Sequence, residues 1–147
     1  MHIEYGVNQT EIIMKMDDKT TRWKQRFKNF EKAISLLQDA VSQKELSVLE
    51  QAGVIQTYEI TFELAWKTLK DFLESKEVIA QFPRDVIKEA FKNNIINEGD
   101  TWLDMLEKGN LMSHTYDETN AGLALQLIVN SYFDELYDLY LTLNKLV

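Results

Sequence analysis

The residues able to do chemistry gather in one stretch, Trp102 to Glu118 (WLDMLEKGNLMSHTYDE). It holds the one internal histidine, His114, with Ser113 before it, Asn110 four residues upstream and Tyr116 two residues on. Imidazole is the side chain whose ordinary titration falls near neutrality, so His114 is the candidate for general acid–base work. Cleaving RNA by 2′-hydroxyl attack needs a base, an acid and a cation against the developing phosphorane charge. One chain supplies one such histidine. A two-fold dimer would bring two His114 side chains together and meet the acid and base requirements, leaving the cation to be found. The competing role for His114 is structural: an imidazolium near a helix C-terminus meets the negative end of the dipole. Ser113 and His114 do not make a serine triad, because helix neighbours point about 100° apart.

Other chemistries lack their residues. The chain has no cysteine, no His-x-x-x-His and no Glu-x-x-His pair, and His2 is terminal without an evident partner. No metal site and no cofactor is therefore expected. No glycine-rich phosphate loop is present. Zero cysteines fits a reducing compartment, and a cytoplasmic protein is expected. Apolar runs stay well short of the roughly 18 residues that span a bilayer, so no membrane role is expected. The net charge is −8, unevenly spread. Lys19, Arg22, Lys24, Arg26, Lys28 and Lys32 lie close together, and the cluster from Arg22 to Lys32 could meet an acidic partner, whereas residues 101–147 carry seven acids against Lys108 and Lys145. A nucleic acid backbone is repelled by such surroundings unless another chain brings cations.

The elements that must position this stretch read as helices. One proline and five glycines leave few breakers. Trp23, Phe27, Phe30, Ile34, Leu37 and Val41 alternate at spacings of four and three, a bundle seam, in a helix from an Asp17 or Asp18 cap to about Ala40. A second helix is predicted from about Leu46 to Ser75, with Leu49, Ala52, Ile55, Phe62, Ala65, Trp66, Leu69, Phe72 and Leu73 inward. Gly53 in it either permits close packing or weakens it. Glu59, Glu63, Lys67, Lys70 and Asp71 belong to its solvated face, with Glu63 and Lys67 an i,i+4 pair. Pro83 opens a short helix with Val86, Ile87, Ala90 and Phe91 inward. Asp100 or Thr101 caps the next, which ends near His114–Asp117. Thr119 or Asn120 caps the last, whose seam runs from Ala121 through Tyr132 to Leu143; Tyr132, Tyr137 and Tyr140 are expected at the core edge. The expected fold is all-α, an up-and-down four-helix bundle with one short additional helix. Residues 1–17 are expected to be an arm and residues 18–147 the bundle.

Three segments resemble a known family. YEITFELAWKTLKDFL at Tyr58–Leu73, PRDVIKEAF at Pro83–Phe91 and WLDMLEKGNLMSHTYDE at Trp102–Glu118 are similar, in that order, to the HEPN-type bundles called nucleotidyltransferase substrate-binding proteins. The resemblance covers roughly residues 20–145. It implies a homodimeric helical bundle that works beside a minimal nucleotidyltransferase (MNT). The broader HEPN group includes toxin ribonucleases with Arg, four to six residues, then His. In such toxin–antitoxin pairs the transferase can place AMP on the Tyr two residues after the His.

Carried onto this chain, the resemblance makes His114 the motif histidine, Tyr116 the nucleotidyl acceptor and Asn110 the polar residue after the arginine. The arginine position itself holds Gly109, which has neither charge nor donors for phosphate. Two functions follow as expectations. One is a partner and substrate-binding subunit of the transferase. The other is a metal-independent ribonuclease acting on RNA, which Gly109 argues against.

Overall fold

The computed structural model describes residues 8–115 and 117–147, and of Ile13, Lys15, Met16 and Asp17 the backbone only. Seven α-helices follow one another with no strand among the described residues: α1 Gln9–Val41, α2 Val48–Ser75, α3 Pro83–Lys92, α4 Gly99–Glu107, α5 Gly109–Ser113, α6 Glu118–Leu127 and α7 Phe133–Asn144. A π-helical turn, Ile128–Tyr132, joins α6 to α7 into one long rod. The long elements are α1, α2, the broken α4–α5 and the α6–α7 rod, with α3 as the short extra helix. This is the expected all-α bundle.

Most of the seam lies where its spacing puts it. Trp23, Phe27, Phe30, Ile34 and Leu37 of α1 are buried against Leu69, Phe72 and Leu73 of α2 and Leu136, Leu139 and Leu143 of α7. Edge-on ring contacts lock the first two layers, with Trp23 and Phe72 centroids 5.0 Å apart. Arg22 and Arg26 turn from the basic cluster towards α2: Arg22 meets Glu74 at 3.5 Å, and Arg26 Nε donates across 2.6 Å to Asp71, which is buried rather than on the solvated face expected of it. The buried Thr61 and Thr68 return their hydroxyls to the carbonyls of Thr57 and Leu64, one turn back, so neither leaves a donor unsatisfied.

Several boundaries and facings depart from the periodic reading. The first helix begins at Gln9, not at an Asp17–Asp18 cap, because Asn8 already accepts the Glu11 N–H at 2.9 Å. The second begins at Val48, fixed by a capping box: Ser47 accepts from Glu50 N–H and Glu50 accepts from Ser47 N–H. That leaves Leu49 83% exposed, with Ala52 also outward. Gly53 is exposed with open space beyond its Cβ position, so it serves no close packing. Trp66 lies half-buried with its Nε1 donating to Glu63, and the predicted Glu63–Lys67 pair forms at 2.8 Å. Phe91 is 51% exposed, covering Gly99 from outside rather than filling the core. Tyr132 is fully buried, deeper than the core edge expected, while Tyr137 and Tyr140 lie at that edge.

Candidate functional site

The stretch around His114 does not continue α4. That helix stops at Glu107, and Lys108 breaks it with its N–H returned to the carbonyls of Asp104 and Leu106. A five-residue turn, α5, then carries Gly109 to Ser113. Glycine at the junction adds little that would hold two helices in line. His114 closes α5 with φ −126° and ψ 57°, already outside helical geometry. Its backbone is pinned on both sides: His114 N–H donates to the Leu111 carbonyl at 3.2 Å, and Asn120 Nδ2 donates to the His114 carbonyl at 3.2 Å. Asp117 caps α6 by accepting from Asn120 N–H at 2.8 Å, in place of the expected Thr119 or Asn120 cap. Asn120 therefore couples the start of α6 to the turn that carries His114.

Gly109, Asn110 and His114 are all exposed. Asn110 and His114 stand four residues apart, about one turn, but the departure of His114 from helical φ and ψ breaks simple stacking of the two. A Cβ built on Gly109 meets no atom within 4 Å, so a longer side chain is sterically admissible there. Tyr116 lies outside the described residues.

The nearest cation in sequence, Lys108, is committed elsewhere. Its Nζ lies 3.0 Å from Asp104 Oδ1, and the other Asp104 oxygen accepts from the Tyr132 hydroxyl. The hydroxyl bond, ahead of Lys108, holds the Asp104 carboxyl below the usual aspartate range against the opposing effect of burial. Burial and the same carboxylate push the Tyr132 phenol upward. Thus the π-turn tyrosine, the α4 aspartate and the junction lysine form one chain that anchors the break.

On the other side of α5 an open groove faces α2. Ile55 and Met112 form its buried floor, and Ala52 and Ile60 its apolar sides. Gln56, Glu59, Ser113 and Thr115 supply the polar groups. The Ser113 hydroxyl donates to the Gly109 carbonyl at 3.1 Å. Burial raises the Glu59 carboxyl above its ordinary range, outweighing the lowering effect of Ser113. Glu59 thus departs from the solvated face expected of it. The signal in the sequence is the run Ala52, Ile55, Gln56, Glu59 and Ile60, whose spacing marks one face that is neither core nor wholly charged. Among the described residues no group of three or more His, Cys, Asp or Glu is placed to hold a metal ion. Nor, among them, is any helix long and apolar enough to cross a membrane.

The family model described as nucleotidyltransferase substrate-binding protein-like matches residues 25–145. The chain belongs to this family. The match takes in the α1 seam from Phe27 onward, all of α2 and the whole His114 stretch, so the family relation extends to the candidate site. Among solved structures, this family member is similar to a Thermus thermophilus protein at 28% identity and a TM-score of 0.71, covering 80% of this chain and 98% of that one. A second similar structure, from Haemophilus influenzae, is described as revealing the fold of a substrate-binding domain of a nucleotidyltransferase. It is 22% identical with a TM-score of 0.59, over 84% of this chain and 98% of that one, and supports the fold. A curated relative from Haemophilus influenzae, described as the probable ribonuclease HepT, is 31% identical over 75 residues, 48% of this chain. The match spans about half the length of that relative, 51%.

Proposed function

We propose that this chain is the substrate-binding and partner subunit of a two-component nucleotidyltransferase system of toxin–antitoxin type, working as a cytoplasmic homodimer beside a minimal nucleotidyltransferase (MNT). The observation that supports this over nuclease chemistry is the missing cation at the motif position. Gly109 has no charge, and Lys108 is engaged by Asp104, which is itself engaged by Tyr132. The charged side chains of residues 101–147 are predominantly acidic. A subunit that docks and presents groups to a transferase needs no phosphate-binding cation beside His114. Tyr116 is the acceptor in this reading: its phenolic oxygen displaces pyrophosphate from ATP, and the phenol proton passes to solvent. Co-expression with a minimal nucleotidyltransferase encoded beside the chain tests both parts. Co-purification and a mass gain of one adenylyl group, absent in Tyr116→Phe, are expected. Failure to co-purify overturns the partner role, and an unchanged mass overturns the acceptor role.

A second reading has its own support. The curated relative is described as a probable ribonuclease, and the space beyond Gly109 admits an arginine. In this reading two His114 side chains act across the dimer, with Asn110 assisting. Gly109→Arg then creates or strongly raises metal-independent RNA cleavage, and His114→Ala removes it. No cleavage by Gly109→Arg counts against a nuclease site.

A further inference from the structure

The α2–α5 groove has a chemistry of its own. Its polar lining is an amide, a carboxyl and two hydroxyls, from Gln56, Glu59, Ser113 and Thr115. Its floor and sides are aliphatic. No basic residue lines it among the described residues, so nothing there recognises a phosphate or a carboxylate. What fits is a group that is neutral, flat, apolar on its faces and polar along its edge. A nucleobase has that character. The edge can be specified further. A side-chain amide of the Gln56 kind pairs with an adjacent amino group and ring nitrogen, and a carboxylate accepts from an exocyclic amine. Both polar anchors thus favour a base that carries an amino group. The groove is also adjacent in sequence to the candidate acceptor, since its lining residue Thr115 directly precedes Tyr116.

We propose that the groove between α2 and α5 binds an amino-bearing nucleobase, with Gln56 and Glu59 reading its edge and Ile55, Ile60 and Met112 against its face. This names a ligand class for the substrate-binding role proposed above. It is tested on the chain alone, so its failure leaves the partner and acceptor tests untouched.

The experiment is a titration of the full-length chain with adenosine, cytidine and uridine, followed by backbone amide chemical shifts. Adenosine and cytidine are expected to give saturable shifts at Gln56, Glu59, Ser113 and Thr115. Uridine, which lacks the amine, is expected to bind about tenfold more weakly, the effect of one lost hydrogen bond to a charged group. Gln56→Ala and Glu59→Ala are each expected to weaken adenosine by about tenfold. Both side chains are away from the core, and an unchanged spectrum elsewhere shows that the fold is kept. Equal binding of uridine overturns the edge recognition. Shifts that do not saturate, lie elsewhere, or persist in both variants overturn the site.

Discussion

Tyr58 of α2 and Tyr132 of the π-helical turn stack with ring centroids 5.6 Å apart and planes 24° from parallel, yet their hydroxyls meet opposite fates. Tyr132 donates to Asp104 of α4. The Tyr58 hydroxyl is buried without a hydrogen-bond partner among the described residues, and burial, then Tyr132, Asp104 and Glu59, keep it neutral. Removing each hydroxyl should therefore act with opposite sign. Tyr132→Phe is expected to lose about 1–2 kcal/mol and free the Asp104–Lys108 junction. Tyr58→Phe is expected to be neutral or to gain up to about 1 kcal/mol, because it removes a buried group that makes no bond. Urea denaturation of the two variants measures both, and equal losses would sink the account.

The Arg26–Asp71 bond predicts an asymmetry. Asp71 is 5% exposed on its side chain and Arg26 35%. Arg26→Ala leaves a buried carboxylate unpaired and should cost about 3 kcal/mol. Asp71→Ala leaves a guanidinium that can turn to water and should cost about 1 kcal/mol. Equilibrium unfolding that ranks them the other way would show that water reaches Asp71.

Glu135 on α7 predicts a pH dependence. Burial raises its carboxyl, then Asp138, Glu98 and Asp134 raise it further, from an ordinary value of 4.5. A raised acid means the folded state binds more protons than the unfolded one. Stability from this group therefore increases as pH falls through the folded value and levels off below about 4.5. Glu135→Gln should raise Tm at pH 7, by less in high salt, and the gain should vanish below about pH 4. A gain that persists at about pH 3.5 would assign the effect to packing.

Gly109 predicts tolerance. With nothing within 4 Å of its Cβ position, Gly109→Arg should leave stability unchanged or raise it by up to about 1 kcal/mol through helix propensity. A clear loss in thermal unfolding would mean that the α4–α5 junction requires glycine. It would also explain a failure of the cleavage test without reference to chemistry.

Much of this was legible before any coordinates. Trp23 through Leu37 declare their helix and its buried face because side chains three and four apart lie on the same side. Pro83 opens α3 because its fixed φ suits a first turn. Less legible were the places where a local choice had several acceptable answers. Aspartate is only weakly unfavourable inside a helix, so Asp17 and Asp18 need not start one, and Asn8 does. Phe91 fits an inward position by period, but α3 is short and its inner face is already filled by Val86, Ile87 and Ala90.

Local pattern was enough for the all-helical class, most of the seam and the segment in which chemistry was to be sought. Those follow from periodicity, breakers and residue type, which act within a few turns of chain. Packing of the helices, and nothing short of it, decided that Tyr132 reaches from a π-helical turn to the local Asp104–Lys108 pair, and that Glu59 and Ser113 line one groove. Each joins residues far apart in sequence, or sets a side chain's direction by what a neighbouring helix presents. No local pattern encodes that distance or that direction, because both arise only when the helices pack.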